Sequence, residues 1–600
     1  MAATTTGRAG EPGPKGLLTV SPTGLTVPAG GTAQATVTID PGAAAAGTSF
    51  SGRLTSTTED GTVVTGPAFA VTKEAVHRQV TVEAVDRNGA PLGPGSREQG
   101  FSSVQLTNLA DGRTFRLTFD DGTATARVPE GRYNLGGTLV TPGSDGAAPT
   151  STMFLQPEMD IRQDSRRTVD ARQGKPITVA VPDPGAQPYS LSAGYCYRPA
   201  GDETCTDQGA LLGRPGRLYA VPGKQVSDGT LDFYVRSIQN GAQAPKGRLP
   251  DHYDLLLLTT GSFPDPAFRL ARKDLAAVKN DYYAQGPGTA GSTSSWPTEN
   301  GLGGMSIAEP DFALPAARTE YMTVRGQQRE TYFSQQTGGG GEYVPLPVTQ
   351  TGIVSCTAGS TCADRWNAAV IGPGLAPVEN DAPSIGRASD GTISAEPQLF
   401  SDAAPRHYGG PMPDWLQDTV HITLAKNGQK LGSSNSPRAT FAVPRDAATY
   451  RLTARTTREE PWASLSTTVE TAWTFRSAAV APGPDGAVHT DALPLDVVRF
   501  IAPVDTANRT ARTEHTLTAR VERQAGAAAS RTRSLTVQVS FDDGATWQDA
   551  PVTSDGTASH RVTITPPAGS GSFVSLKATA RSTDGGTVEQ TILRAYRLAP

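Results

Sequence analysis

The sequence predicts a mainly β protein: tandem immunoglobulin-like and fibronectin-like β-sandwich domains with few short helices. Three observations predict it. The 600 residues include 65 Gly and 47 Pro, spread along the whole length. Between these breakers run short stretches that alternate apolar and polar residues, the period of a half-buried strand. Long apolar stripes at helical spacing are nearly absent. A single core does not grow to this size, so roughly four to six domains are expected.

Residues 1–15, "MAATTTGRAGEPGPK", read as a flexible leader. They contain no apolar h-region, so they are not a secretory signal. Two expectations follow: a cytosolic protein with reduced thiols, or the downstream part of a longer secreted protein, whose start here looks like a cut in an interdomain linker. Residues 16–73 follow as a small sandwich, with turns at Pro28-Ala29-Gly30-Gly31 and Asp60-Gly61. Residues 74–160 form a second one, with turns at Asn88-Gly89 and Asp121-Gly122 and the phrase Val128-Pro129-Glu130-Gly131-Arg132-Tyr133. That phrase resembles the edge-turning step of small carboxypeptidase-regulatory-like sandwiches. Residues 161–315 are expected to be β-rich with one short helix. In "ARKDLAAVKNDYYA" (271–284), Leu275, Val278 and Tyr282 fall on one helical face. "GPGTAGSTSSWPTENGLGG" (286–304) reads as a long loop. Residues 316–480 form a further sandwich, closed by the strand "LSTTVETAWTFRS" and followed by the linker "APGPDGA". Residues 481–600 carry regular strands such as "SLTVQVSFDDG" and "HRVTITPP" and form an immunoglobulin-like domain.

The four cysteines fall into two close pairs, Cys196 with Cys205 and Cys356 with Cys362. A local disulfide in each is expected, which places the chain in an oxidising, extracellular setting. A four-cysteine zinc site would want two residues between the members of each pair, and neither pair has that spacing. The net charge is −5, and no basic stripe with interleaved aromatics is present, which argues against nucleic-acid binding. No apolar run approaches the roughly 18 residues of a membrane span. The longest candidate, "YDLLLLTTG" (253–261), fits a buried strand.

Gly47-Thr48-Ser49 is the tripeptide that carries the nucleophile of subtilisin-like serine peptidases. Such an enzyme also needs an Asp-Ser/Thr-Gly motif and a His-Gly-Thr-His motif. None of the seven histidines here precedes Gly, and Ser49 is followed by Phe50-Ser51-Gly52 rather than Met-Ala-x-Pro. Ser49 is therefore read as a turn residue before a strand. No Gly-x-Ser-x-Gly elbow occurs, and no catalytic residue is assigned.

"SFDDGATW" (540–547) matches the Asp-box, Ser-x-Asp-x-Gly-x-Thr-Trp. Its expected role is a tight structural hairpin. Ser540, Asp542 and Thr546 supply side-chain hydrogen bonds, Gly544 a backbone conformation that other residues resist, and Trp547 a ring beneath the turn. In sialidases the box recurs on several propeller blades, away from the catalytic site, whereas one full copy is present here. Glu59-Asp60, Asp120-Asp121 and Asp542-Asp543 each offer at most two carboxylates, and calcium needs several converging oxygens. Calcium is the one cofactor left open, with no residue assigned to it.

The order "GLLTVSPTGLTVPAGGTAQATVTIDPG", "SGRLTST", "FAVTKE" resembles the fibronectin-type-III-like domain that follows the catalytic domain in large secreted actinomycete subtilases. "VTVEAVDRNGAP", "DRWNAAVIGPG", "DGTISAEPQLFSDAAPRHYG" and "TVETAWTFRS" resemble the long C-terminal extensions of those proteases. The likeness runs from about residue 16 to residue 600. It implies a secreted, non-catalytic accessory region whose partners are an upstream subtilase catalytic domain and either protein substrate or a cell-surface ligand. The Asp, His and Ser motifs of the family map onto no residue here. The alternative is a stand-alone extracellular protein for adhesion or for glycan or protein binding.

Overall fold

The computed structural model describes residues 2–7, 12–59, 61–93, 101–144, 146–213, 215–303, 311–324, 326–337, 349–351, 356–377, 383–410, 419–458, 463–556 and 558–600. The protein is mainly β. Among the described residues the helical content is four single-turn 3-10 segments. Backbone packing divides the chain into two units: residues 1–178, 193–233 and 259–268 in the first, and 179–192, 234–258 and 269–600 in the second.

The first unit opens on an antiparallel sheet of Ala2–Gly7, Ser49–Thr57 and Val63–Thr72, so residues 2–7, expected within a flexible leader, are instead a paired strand. Leu17, Ala44, Phe50 and Val71 form a small core beside it. Ser49 is the first residue of its strand, opposite Thr72. A larger sandwich follows. Its six-stranded sheet runs in the order Lys175–Pro176, Leu218–Ala220, Thr150–Ile161, Gly131–Thr141, Ser103–Asn108, Thr114–Leu117. Its three-stranded sheet is Ser165–Asp170, His77–Val85, Thr123–Pro129. Val80, Val82, Leu106, Leu135 and Phe154 fill the core. The sandwich thus extends past residue 160, because Ser165–Asp170 adds a parallel strand to His77–Val85.

Two short phrases explain how its edges turn. Asp121 and Gly122 have φ of 43° and 74°, the paired left-handed conformation of a two-residue hairpin. A Cβ on Gly122 would also lie 2.9 Å from Pro91. In Pro129-Glu130-Gly131-Arg132-Tyr133, proline ends one strand and glycine begins the next. The Tyr133 ring is fully buried, and its hydroxyl donates to the Pro129 carbonyl at 2.8 Å. That bond ties the corner across the sandwich.

In the second unit, residues 252–254 pair parallel with Glu320–Met322. Ala316–Met322 pairs antiparallel with Ala276–Tyr282, which pairs parallel with Thr361–Trp366. A second sheet runs Leu302–Gly303, Thr289–Glu299, Gln328–Thr337, Thr349–Thr351, His407–Tyr408. Two expectations are corrected here. Residues 271–284 are not a helix but a 3-10 turn, Arg272–Asp274, followed by the strand Ala276–Tyr282. Ala276, Val278, Asn280 and Tyr282 point inward at period two. The polar Asn280, which accepts from the Trp366 indole at 3.2 Å, hid that alternation. Residues 286–304 are not a loop either. Thr289–Glu299 pairs over ten residues with Gln328–Thr337. Its core-facing residues Gly291, Thr293, Ser295 and Pro297 are not hydrocarbon-rich, so the strand carries a loop composition.

The rest of the second unit is built on one nine-stranded sheet. Its successive strands include Gln429–Ser434, Thr419–Lys426, Ala448–Thr457, Thr468–Ser477, Thr587–Leu598, Phe573–Ser582, Thr532–Ser540 and Gln548–Ala550. Two four-stranded sheets share its core. One contributes Ile393 and Phe441, the other Val497, Leu517 and Val562; Leu452, Trp473, Leu576 and Val588 come from the large sheet. Thr468–Thr474 pairs with Thr587–Leu593, so strand pairing crosses the link at 481–487.

Both disulfides are present, Cys196–Cys205 with Cα atoms 5.4 Å apart and Cys356–Cys362 with Cα atoms 6.1 Å apart. Each closes a short loop and restricts the unfolded chain. The double replacement Cys196→Ser/Cys205→Ser is expected to lower the stability of the first unit by about 2–3 kcal/mol, read by urea unfolding.

Candidate functional site: an apolar pocket beside a buried histidine

The second unit has a polar interior, and its charges set the geometry of the site. Arg236, Asp254 and Arg329 are buried between the strands of residues 234–337. The Asp254 carboxylate lies 2.7 Å from one Arg329 nitrogen and 3.3 Å from one Arg236 nitrogen. The Ser295 hydroxyl donates to Asp254 and accepts from both guanidiniums, at 3.1 Å from Arg236 and 3.0 Å from Arg329. Burial pushes the Asp254 carboxyl up, but the two arginines outweigh it and hold the group well below the usual carboxylate range. A second ion pair, Arg318–Glu320 at 2.8 Å, is completed by hydrogen bonds to Thr293 and Tyr282.

His407 lies at the end of the second sheet. Its Nδ1 is 2.9 Å from Asp402 and its Nε2 is 3.3 Å from Asp364. Its ring packs on Trp366 at 4.3 Å between centroids. Burial lowers the histidine pKa, but Asp402 and Asp364 together push it up to about 9. The ring is therefore an imidazolium at neutral pH. The loop that carries it is tied down further. Asp402 accepts from the backbone N–H groups of Asn367 at 2.7 Å and Ala404 at 2.9 Å. The buried Arg499 donates to the carbonyls of Asp402, Ala404 and His407.

This fixed loop walls a cavity of about 230 Å³. Tyr283, Ala368, Ala403, Ile501 and Val504 form its apolar lining, and Asp364 and Arg365 stand at its polar side. The volume is below the roughly 300–1,000 Å³ of a small-molecule pocket and suits a single side chain. Chemically the arrangement offers a preformed apolar slot beside a carboxylate. Both nitrogens of His407 are committed to carboxylates, so its charge holds the loop rather than drawing a proton from a nucleophile.

The residues singled out in the sequence lie elsewhere. Ser49 is exposed and its hydroxyl is 3.0 Å from that of Thr72. The Asp-box residues form one hairpin. Asp542 accepts from the Thr546 N–H at 2.9 Å, from the Thr546 hydroxyl at 2.5 Å and from the Ser540 hydroxyl at 2.7 Å. These bonds, led by the Thr546 hydroxyl, hold its carboxyl down at about 2. Ser540 Oγ accepts from the Gly544 N–H at 2.8 Å, and Gly544 has φ of 88°. Trp547 is half-buried, with the Lys577 ammonium 4.5 Å from its ring centroid. Arg594 grips Asp543 at 2.7 Å and anchors the turn to the sheet. A cleft of about 460 Å³ opens beside it, lined by Trp547, Gln548 and Pro567.

Among the described residues no three His, Cys, Asp or Glu side chains are placed to hold a metal ion, and no helix is long and apolar enough to cross a membrane. The pocket itself escaped sequence reasoning, because its walls come from four distant stretches and half of the lining residues are alanine. The one local signal was Asp402 five residues before His407.

No family model and no curated protein matches the sequence. Among solved structures, the chain is similar to the crystal structure of the N-terminal eight Ig domains of Down Syndrome Cell Adhesion Molecule (DSCAM) isoform 1.30.30. The match covers 99% of this chain and 95% of that chain, at 9% identity and a TM-score of 0.11. At that score the two chains do not superpose as one fold.

Proposed function

We propose that this chain is a non-catalytic, extracellular binding region, accessory to a secreted subtilisin-like serine endopeptidase. Its sandwiches brace the catalytic domain or hold protein substrate or a cell-surface ligand. The observation that carries the binding role is the apolar slot behind Ala403, Ala404 and Pro405, walled by small side chains and fixed by His407. A slot of this size takes one side chain of an extended protein segment. The subtilase association is supported by the order of sequence phrases from residue 16 onward, and an extracellular setting by the two disulfides. A stand-alone adhesion protein is the second reading, favoured by the half-exposed Trp296.

The test is hydrolysis of casein and a peptide library by the purified chain, together with labelling by a serine-directed fluorophosphonate. Neither turnover nor labelling is expected. A serine labelled in the folded chain, with labelling abolished by its mutation, would overturn the non-catalytic reading. Binding of unfolded casein by the chain and by Ala404→Trp, which fills the slot, tests the binding role; equal binding by both would refute it. An upstream reading frame carrying a signal and the three triad motifs separates the accessory reading from the stand-alone one.

A further inference from the structure

The sheet that buries Arg329 and Ser295 on one face has a second face of different character. Over residues 293–297 and 329–333 the two strands alternate buried with more exposed residues, so Ser294, Trp296, Glu330 and Tyr332 point away from the charged interior, with Thr298 continuing their face. Farther along that face Ser292, Ser334 and Gln336 are buried, which confines the open area to the Trp296 end. In register, Trp296 lies opposite Glu330 and Ser294 opposite Tyr332. Trp296 is 47% exposed. By contrast, Trp366 and Trp473 are buried, and Trp547 has Lys577 over its ring. Trp296 and Tyr332 are diagonal cross-strand neighbours, close enough to contact one ligand together. The Tyr332 hydroxyl donates to the Glu330 carboxylate at 2.8 Å. That bond orients the carboxylate and leaves it further acceptor capacity.

We propose that this face binds a neutral glycan chain, with Trp296 as its stacking platform and Glu330 as its hydrogen-bond acceptor. An indole on a flat sheet covers the C–H face of a pyranose ring, and a carboxylate beside it accepts from ring hydroxyls. An apolar protein segment would want a contiguous apolar patch, but here the rings stand among the hydroxyls of Ser294 and Thr298. Charge selects among glycans: the Glu330 carboxylate repels uronate or sialylated chains, so the ligand is neutral. The proposal goes beyond the accessory reading and does not depend on it.

The test uses the whole chain and isothermal titration calorimetry with cellohexaose, xylohexaose, mannohexaose and the hexamer of N-acetylglucosamine, with oligogalacturonate as the acidic control. At least one neutral oligosaccharide is expected to bind with Kd on the order of 10–100 μM. Trp296→Ala should weaken that binding at least about tenfold, Glu330→Gln severalfold, and Trp547→Ala not at all. Equal thermal unfolding of the variants keeps the readout separate from folding. Absence of binding by every neutral oligosaccharide would overturn the proposal. So would binding that Trp296→Ala leaves unchanged, or equal affinity for oligogalacturonate. Capture of a lysine-rich peptide through Trp296 with no glycan bound would replace the glycan by a cationic protein segment and equally overturn it.

Discussion

Replacing Asp254 with alanine is expected to cost the second unit about 3–5 kcal/mol, because it takes away the buried carboxylate with which both Arg236 and Arg329 pair. Asp254→Asn should behave similarly, since it keeps the shape but removes the charge. The loss is a penalty for an unpaired charge, not the net worth of the ion group. Removing all three charges together, as Asp254→Leu with Arg236→Met and Arg329→Met, should therefore recover most of the stability. Urea unfolding followed by tryptophan fluorescence measures both. A triple variant as unstable as Asp254→Ala would show that the charges themselves, rather than their balance, hold the sheets together. The pH dependence follows from the depressed carboxyl. Its contribution is present above the ordinary carboxylate range and is lost only as pH falls through its lowered folded value. Acid should therefore unfold Asp254→Asn no later than the native chain, and the difference between them should shrink at the lowest pH.

His407 carries the second large effect, and with the opposite sign. Its pKa rises from an ordinary 6.5 to about 9 on folding. The stability it contributes is complete below pH 6.5 and is lost as pH climbs through about 9. The difference corresponds to on the order of 3 kcal/mol. Unfolding measured at pH 6.5 and at pH 9.5 should show that loss in the native chain and little of it in His407→Gln. At pH 6.5 the variant should already be destabilised, because Asp402 and Asp364 face each other's charge without the imidazolium. A slope with pH that survives in His407→Gln would assign it to other groups. Pocket occupancy should follow the same curve, since Ala403, Ala404 and Pro405 hang on the loop that His407 fixes.

What could be read from the chain depended on whether the buried face was hydrocarbon. Ala448–Thr457 alternates buried Ala448, Tyr450, Leu452, Ala454 and Thr456 with more exposed residues, and its strand is plain in the sequence. The turn at Asp121-Gly122, the Tyr133 corner, the Asp-box hairpin and the cysteine pairs are legible because the bonds that define each one are local, made within about ten residues. Thr289–Glu299 was not legible. Its inward residues are Gly291, Thr293, Ser295 and Pro297, and the partners of Thr293 and Ser295 are arginines far away in the chain. Ala276–Tyr282 was read as a helix because Leu275, Val278 and Tyr282 satisfy one period while buried Asn280 breaks the other. The pocket is the extreme case. Tyr283, Ala368, Ala403 and Val504 meet only through the fold, and alanine signals nothing about what it will line.

The exposed Pro-Gly link at 481–487 looks like the place to divide the C-terminal sandwiches, yet it is not a seam. Residues 468–474 and 587–593 hydrogen-bond as neighbours across it. An excised 488–600 fragment would present Thr587–Leu598 as a raw sheet edge, ready to recruit another strand. Exchange of one sandwich without the other is therefore expected to leave an open edge, unlike the exchange of independent modules. A domain boundary drawn at the link would cut a continuous sheet, so the two sandwiches are expected to unfold as one cooperative unit.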